Sequence, residues 1–244
     1  MSGIVLIQYR FKKSDREIEQ KLFTRVEESC DTKIKYINVW DKRLNWSKPN
    51  SFLKNTSALI LGGSGDLYFD GDGRHKESKK IFDEAAMNAK SLISHVLDSD
   101  FPTLGICFGH QVLGSHIGTR IRHDKRQAKV GSHKINLTTR GKQDALFSEM
   151  PDSFHAQYGH SDSLSSIPNG ATLLAKANNC KRAAYRYRNN VYGVQFHPEL
   201  TMKDTEERMA ARKYLTEEID AAQELKSSPE ASYLLERFIN HYIK

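Results

Sequence analysis

Residues 103–114 read TLGICFGHQVLG, in which the end of an apolar strand passes through Gly-Ile-Cys-Phe-Gly into a segment that is compatible with a helix. A side chain at such a sharp strand-to-helix turn projects into a cleft, and the crowded backbone favours residues without Cβ, here Gly105 and Gly109. The helix N-terminus favours a thiolate. The stretch therefore predicts a strand, an elbow that presents Cys107 as a nucleophile, and a helix. A buried, inert cysteine is the alternative, which fits Cys30 and Cys180 better.

Short apolar runs alternate with amphipathic segments before this elbow. Three runs are typical of buried strands: residues 3–9, 34–39 and 58–61. Residues 15–28 and 76–97 carry apolar side chains at three- and four-residue spacings, which predicts helices, and Asp15 is a candidate N-cap for the first helix. Strands that alternate with helices predict a parallel sheet with helical crossovers.

The pattern changes after Gly118, where short strand-like runs are broken by Gly, Asn and Pro. These runs cover residues 130–137, 153–158, 172–177, 183–187 and 191–195. They predict added antiparallel strands. From Lys203 onward the chain is charged and helical, with a break at residues 227–229. The expected fold class is therefore α/β: an open, mostly parallel sheet flanked by helices, with additional antiparallel strands and C-terminal helices.

The length and composition predict one globular unit. With 244 residues the chain can bury one sizeable core, so we expect a single domain over residues 1–244, with a core at 1–202 and a helical extension at 203–244. The sequence has no apolar stretch of membrane-spanning length and no export signal after Met1, so we expect no membrane segment. Its three widely spaced cysteines argue against a disulfide framework and a zinc site, and they fit a cytoplasmic protein. We predict no metal and no cofactor.

The formal net charge of +7 raises the question of an acidic partner. Its densest cluster, Arg120, Arg122, Lys125 and Arg126, lacks the interleaved aromatic side chains of a nucleic-acid surface. A solvated basic face is the simpler interpretation, and we expect no nucleic-acid binding. A nucleic-acid binder would instead show binding that depends strongly on salt.

A second reactive segment lies at residues 191–200, which read VYGVQFHPEL. Pro198 takes the chain out of regular strand pairing, so that His197 and Glu199 can face the same cleft at the strand end. A thiol that attacks an amide needs a base for its own proton and an acid for the departing ammonia, and an imidazole held by a carboxylate does both. His197 and Glu199 fit these roles. Without the cysteine elbow, the segment could equally be an exposed turn.

A glycine-rich loop follows the strand predicted at residues 58–61, since residues 59–66 read LILGGSGD. Backbone N–H groups of such a loop can point at a developing oxyanion, and Gly63 with the amide of Phe108 is the expected pair. The sequence has neither a P-loop nor a dinucleotide-binding glycine motif here, which argues against a phosphate site. A plain turn is the alternative.

Together these segments resemble the class I, or triad, glutamine amidotransferases, which carry Gly-Gly after a strand, a G-x-C-x-G-x-Q elbow and an F-H-P-E segment. In this sequence the three segments are Gly62-Gly63, residues 105–111 and residues 196–199. Residues 155–164, HAQYGHSDSL, also resemble the H-x-D segment of the glutaminase part of GMP synthetases and their stand-alone relatives. The likeness spans roughly residues 3–200 and implies the flavodoxin-like fold of that family.

The resemblance also implies a role for each site residue. Cys107, His197 and Glu199 would form the catalytic triad. Gly63 and Phe108 would line the oxyanion hole. Six further residues would lie near the bound glutamine: Gln111, Val130, Gly131, His160, Ser161 and Asp162.

Three departures from the family pattern put the choice of substrate in question. Ser64 stands where many members have proline, and Lys129 stands where an acidic residue is common. Residues 65–73 form an unusual loop rich in Asp and Gly. None of these departures removes a residue that the chemistry needs.

The expected function is hydrolysis of the glutamine side-chain amide, through a γ-glutamyl thioester, to glutamate and ammonia. The sequence contains no ATP-pyrophosphatase loop, so the ammonia would pass to a synthase on another polypeptide. The leading alternative is a stand-alone γ-glutamyl peptidase or hydrolase, and a second is a scaffold that keeps the fold without turnover. The expected ligand is glutamine or a γ-glutamyl small molecule, and a homodimer through the helices after Lys203 is left open.

Overall fold

The structure, a computed structural model, describes residues 3–65, 67, 69, 76–211, 220–221 and 224–243. This part of the chain contains the strands β1 Gly3–Gln8, β2 Ile34–Asn38, β3 Thr56–Leu61, β4 Thr103–Ile106, β5 Ile121–His123, β6 Lys129–Leu137, β7 Ser153–His160, β8 Asp162–Leu164, β9 Ala171–Ala177, β10 Cys180–Tyr187, β11 Val191–Val194 and β12 Asp220–Ala221. Its α-helices are α1 Lys13–Ser29, α2 Lys76–Ser99, α3 Phe108–His116, α4 Met202–Ala211 and α5 Pro229–Tyr242.

One sheet of ten strands runs in the order β12-β6-β9-β10-β11-β4-β3-β1-β2, and β7 pairs with β6. The half from β11 to β2 is parallel throughout, whereas β10, β9, β6 and β7 are joined by antiparallel pairs. The strands β5 and β8 form a separate antiparallel pair. The expected α/β fold, with a mostly parallel sheet and additional antiparallel strands, is confirmed.

Helices cover both faces of the parallel half, because its strands are apolar on both sides. Phe23 of α1 and Phe238 of α5 belong to one apolar cluster, on one face of the sheet. Leu92 of α2 and Leu113 of α3 belong to a second cluster with the other face. Each such fully buried side chain contributes roughly 1.5–3 kcal/mol relative to an exposed one, so the sheet between the two clusters is a rigid support.

The parallel half also fixes where the predicted reactive segments meet. Leu61 at the end of β3 pairs with Gly105 in β4, and Ile106 at the end of β4 pairs with Val194 at the end of β11. The glycine loop, the cysteine elbow and the His-Pro-Glu segment therefore leave the sheet at the same edge. This edge, at the carboxyl ends of parallel strands, is where ligands bind in open α/β sheets.

Several details differ from the sequence-based expectation. The first helix begins at Lys13, with Lys12 at its N-cap, so the assignment of Asp15 as N-cap is wrong. Asp15 lies in the first turn, where a carboxylate complements the helix dipole. The short strands β5, β8 and β12 were not expected, and β12 interrupts the extension that we expected to be purely helical.

Some expectations fall outside the described residues. Of the Asp/Gly-rich loop at 65–73, only residues 65, 67 and 69 are described, and residues 212–219, 222–223 and 244 of the C-terminal extension are not described. The division into a core at 1–202 and an extension at 203–244 stays a prediction. None of the described helices is long and apolar enough to span a membrane.

Candidate active site

Cys107 lies at the turn between β4 and α3 in a strained backbone conformation, with φ 51° and ψ −97°. Such a conformation costs a non-glycine residue about 1–3 kcal/mol and persists only where the surroundings impose it. The Cys107 N–H donates to the Val194 carbonyl at 2.8 Å, and its own carbonyl accepts from the Gln111 N–H at 3.2 Å. The elbow is therefore held from both sides, by β11 and by α3.

The glycines that flank this elbow have no room for side chains. A Cβ on Gly105 would lie 2.7 Å from the carbonyl carbon of Gly109, and a Cβ on Gly109 would lie 2.2 Å from the Leu61 carbonyl oxygen. Real Cβ atoms do not approach backbone atoms this closely. The spacing of glycines around Cys107 thus follows from the close approach of α3 to β3 and β4.

His197 and Glu199 form a buried pair beside the cysteine. The distance from His197 Nδ1 to Glu199 Oε1 is 2.7 Å, and both residues are buried. With Nδ1 engaged by Glu199, Nε2 is the ring nitrogen that is available to Cys107. The imidazole thus lies between an orienting carboxylate on one side and a thiol on the other.

The surroundings of His197 and Glu199 favour the charged form of both side chains. Burial lowers the pKa of His197, but the Glu199 and Cys107 charges and their hydrogen bonds outweigh burial and raise this pKa to about 9. Burial raises the pKa of Glu199, but the His197 charge outweighs it, so that this pKa lies below its usual range. At neutral pH the site therefore favours an imidazolium paired with the Glu199 carboxylate and lying beside Cys107.

The glycine loop packs directly against the histidine. A Cβ on Gly63 would lie 3.0 Å from His197 Cε1 and 3.2 Å from Nη2 of Arg10. Behind the loop, buried Arg10 and Glu19 form an ion pair with a 3.4 Å Nε to Oε1 distance. Phe108, the other expected oxyanion residue, begins α3, where the first N–H groups have no acceptor within the helix.

Replacement of Gly63 by Ala should therefore slow catalysis with little loss of stability. The new methyl would push the His197 ring by a few tenths of an ångström, and a shift of this kind in a catalytic group is expected to lower kcat by about tenfold. The matched control is Gly159→Ala, because a Cβ there meets nothing within 4 Å. Steady-state kinetics of the two variants check this prediction, and equal rates for both would contradict it.

Three of the residues expected near the substrate lie together. Gln111 Nε2 donates to the Asp162 carbonyl at 2.7 Å, and His160 Nδ1 is 3.0 Å from the same oxygen. Burial lowers the pKa of His160 to about 3, so that the ring is neutral and its Nδ1 carries the donated hydrogen. The Asp162 carboxylate accepts from the Phe69 N–H at 3.2 Å and lies 3.4 Å from His123 Nδ1.

The other three expected substrate residues lie around this group. Val130 pairs with Gly159 across β6 and β7, next to the pair of Lys129 and His160. Gly131 has a φ of 90°, which favours glycine at this position. Ser161 lies in the bend between β7 and β8, and it is only partly buried.

Gln195 lies in the same site, although in the sequence it marks only the end of the strand predicted at residues 191–195. Its Nε2 is 3.7 Å from Cys107 Sγ, and its Oε1 accepts from Gln111 Nε2 at 3.2 Å. The amide therefore links the nucleophile to the expected substrate residues. A polar residue at the end of an apolar run, two positions before His197, was the signal in the sequence. Among the described residues, no cluster of His, Cys, Asp and Glu could hold a metal ion.

Comparison with known proteins links this geometry to a family. The sequence model of the class-I glutamine amidotransferases matches residues 22–216. The glutamine-hydrolysing GMP synthase of Malacoplasma penetrans is 32% identical over 172 residues, which cover 69% of this chain and 30% of that protein. A glutamine-hydrolysing GMP synthase subunit of Methanocaldococcus jannaschii is 32% identical over 171 residues, which cover 68% of this chain and 79% of that protein.

A solved structure gives the same fold over the whole chain. A glutamine amidotransferase from Thermotoga maritima superposes with a TM-score of 0.70 at 18% identity, and the match covers 100% of this chain and 99% of that one. The sequence relatives differ more in length, since this chain spans only 29% of the GMP synthase of Borrelia garinii, to which it is 30% identical over 172 residues.

Proposed function

Since the chain belongs to the class I glutamine amidotransferases, a family of enzymes, we propose that it hydrolyses the side-chain amide of glutamine with Cys107 as the nucleophile. The likeness to the GMP synthase group that its sequence predicts is confirmed by the relatives above. The observation that carries the proposal is the 2.7 Å contact between His197 and Glu199 beside a cysteine at a strained elbow. These groups are the nucleophile, base and orienting carboxylate that acyl transfer needs.

The reaction begins with attack of the Cys107 thiolate on the amide carbon. The amide oxygen then carries a negative charge, which the backbone N–H groups of Gly63 and Phe108 stabilise. The imidazolium of His197 protonates the departing nitrogen, so that the C–N bond breaks and ammonia leaves a γ-glutamyl thioester on the sulfur. His197 next takes a proton from water as the water oxygen attacks the thioester carbon. The C–S bond then breaks, which releases glutamate, whose carboxyl proton passes to the solvent, and restores the Cys107 thiolate beside the imidazolium.

In this proposal, a synthase on another polypeptide accepts the ammonia. The relative from Methanocaldococcus jannaschii, which this chain matches over 79% of its length, is named as one subunit of a GMP synthase. A synthase that docks near the site would receive ammonia before it reaches the solvent. The free cysteines fit a reaction in the cytoplasm, where thiols stay reduced.

A stand-alone γ-glutamyl hydrolase is the second candidate, and one feature favours it. An open cleft of about 530 Å³ lies beside the expected substrate residues and is lined by Phe69, Arg120, Ile121, Arg122 and His123. The Phe69 ring packs 5.2 Å from the ring of Phe108, so the cleft adjoins the elbow. Its size and its two guanidinium groups suit a γ-glutamyl compound whose leaving group carries a carboxylate.

The two candidates differ in the substrate that the isolated protein should prefer. We expect it to release glutamate from free glutamine, with a kcat/KM at least about tenfold above that for γ-glutamyl peptides, since tenfold requires only about 1.4 kcal/mol of differential binding. The assay follows glutamate in parallel with the Cys107→Ala variant. Preference for a γ-glutamyl peptide would establish the second candidate instead. No glutamate from either substrate, with or without an ammonia acceptor, would contradict both.

A further inference from the structure

The loop that carries His197 and Glu199 is held by side chains from distant parts of the chain. Ser232 of α5 donates to the Pro198 carbonyl at 3.1 Å, and Arg25 of α1 donates to the Glu199 carbonyl at 3.2 Å. The Ser228 hydroxyl lies 3.5 Å from the Leu200 carbonyl. Three consecutive carbonyls of an irregular loop thus have side-chain partners, and two of the donors lie in residues 226–232, the C-terminal segment.

Gln157 connects the same segment to the backbone of the histidine. Its carbonyl accepts from the His197 N–H at 2.8 Å, and its Nε2 donates to the Lys226 carbonyl at 2.9 Å and to Ser228 Oγ at 3.0 Å. Its Oε1 accepts from Ser132 Oγ at 2.9 Å, and Ser132 Oγ accepts from the Lys226 N–H at 2.8 Å. Both polar atoms of this fully buried side chain, and the carbonyl of the same residue, are hydrogen-bonded, which makes the network stiff.

The contacts of Ser228 take the place of the hydrogen bond that a serine at a helix N-cap usually makes. It occupies the N-cap of α5, where serine usually bonds to an N–H of its own helix, but its hydroxyl makes no capping bond. The hydroxyl lies instead between Gln157 and the Leu200 carbonyl. The serine at the start of α5 is therefore used to bind the histidine loop.

The helix itself is anchored independently of this loop. Leu234, Leu235 and Phe238 are fully buried in the core. Arg237 donates to the carbonyls of Leu146 and Ala145, at 3.0 and 2.9 Å. Since α5 is fixed at these other points, its first residues can hold the loop in one position.

We propose that the C-terminal segment is a positioning element for catalysis, which fixes the His197–Glu199 pair against Cys107 through Ser228, Ser232 and Gln157. Pro198 has no N–H with which to stabilise the loop, and the loop is not part of a regular strand. Without these donors, the loop carbonyls would have to find other partners, and the histidine could move away from Glu199 or Cys107. The inference rests on the proposed function only where turnover is measured.

The test compares the double variant Ser228→Ala/Ser232→Ala with Arg237→Gln. The double variant removes the two hydroxyls that contact the loop carbonyls, one of which also accepts from Gln157, whereas Arg237→Gln weakens the anchor of α5 at Leu146 and Ala145. We expect the double variant to lose about tenfold in kcat, with KM changed less than about twofold, because the loss affects alignment rather than substrate binding. Arg237→Gln should keep kcat within about twofold of the parent value, even if its melting temperature falls as far as that of the double variant.

A second readout needs no substrate. Alkylation by iodoacetamide reports the reactivity of the Cys107 sulfur, which depends on the position of His197 and of the groups that face its ring, Glu199 and His160. All variants carry Cys30→Ser, because Cys30 is the partly exposed thiol. At pH 7 the double variant should react about tenfold more slowly than the parent, and a variant with Ser228 intact and Ser232→Thr should react at the parental rate.

The possible outcomes separate this inference from the proposed function. Slower alkylation in the double variant alone supports positioning, even if the parent protein hydrolyses no glutamine. Equal kcat and alkylation rates in the double variant and the parent would overturn the inference. Equal losses in the double variant and Arg237→Gln would also overturn it, because the effect would then be one of general stability.

Discussion

Replacement of Cys107 by Ala should abolish glutamate release, with a loss in kcat on the order of 10⁶-fold, as is typical when the nucleophile of a hydrolytic triad is removed. The reason is that His197, Glu199 and the oxyanion donors act only on an acyl group that the sulfur has attacked. The backbone strain at φ 51° persists in the alanine variant, so the elbow should keep its shape. Glutamate release under saturating glutamine and a thermal unfolding curve measure both parts of the prediction.

Cys180 provides the matched control for this variant. It is also buried, and burial raises its pKa to about 11, so that it stays a protonated thiol at neutral pH. Cys180→Ala should keep kcat within about twofold, although it removes a core side chain. Full activity of Cys107→Ala would rule out the proposed mechanism, and loss of activity in Cys180→Ala without unfolding would show that the thiol role was assigned to the wrong residue.

The fold could be predicted because its main elements carry local signals. Runs such as residues 3–9 and 34–39 are long and apolar enough to predict buried strands, and the structure has strands there with ends shifted by a residue. The strands β5, β8 and β12 have only two or three residues each, so they carry no period that sequence can display. Their position depends on which chain segments happen to lie beside them.

The helix start at Lys13 shows a different limit. Asp15 has the right side chain for an N-cap, but the helix begins two residues earlier and leaves Lys12 at the cap without a side-chain bond. The boundary is set by tertiary contacts, since Gln8 donates to the Arg16 carbonyl and the buried Glu19 binds both Gln8 and Arg10. Capping preference is worth only about 1 kcal/mol, so such contacts can override it.

The candidate reactive residues could be located because each follows a strand within a short, distinctive segment. Cys107, His197 and Glu199 were identified in this way, and the structure brings them to one edge of the sheet. The supports of these residues were not predictable. Gln157 and Ser228 are ordinary polar residues in the sequence, and they lie 71 positions apart, so that only the folded chain reveals that they meet.

The site also explains why polar residues are buried so near the core. Gln195, Gln157 and Glu199 are each at most 5% exposed, and most of their polar atoms have partners in the site. Burial of polar groups is costly unless they are hydrogen-bonded, so this arrangement stabilises only one geometry. In that geometry the charges of Glu199 and Cys107 face His197 from two sides, which gives the imidazole its raised pKa.

Replacement of His197 by Ala should lower kcat on the order of 10⁴- to 10⁶-fold, because one side chain supplies both the base for the thiol and the acid for ammonia. The matched control is His116→Ala, since His116 lies exposed at the end of α3 and should leave kcat within about twofold. Added imidazole should restore part of the lost rate, because the methyl of alanine leaves space for it. Full activity of His197→Ala at any pH would contradict this role.

The pH dependence of kcat is a further test of His197 as the proton donor to ammonia. His197 has a pKa of about 9, above the ordinary value of 6.5, so the imidazolium is present below that pH and is lost as the pH rises through it. Because ammonia must leave with a proton from this imidazolium, kcat of the parent protein should fall on the alkaline side with a midpoint near the His197 pKa of about 9. The residual activity of His197→Ala should lack this limb. If both proteins lost activity along the same alkaline limb, the proton that ammonia takes would have to come from another group.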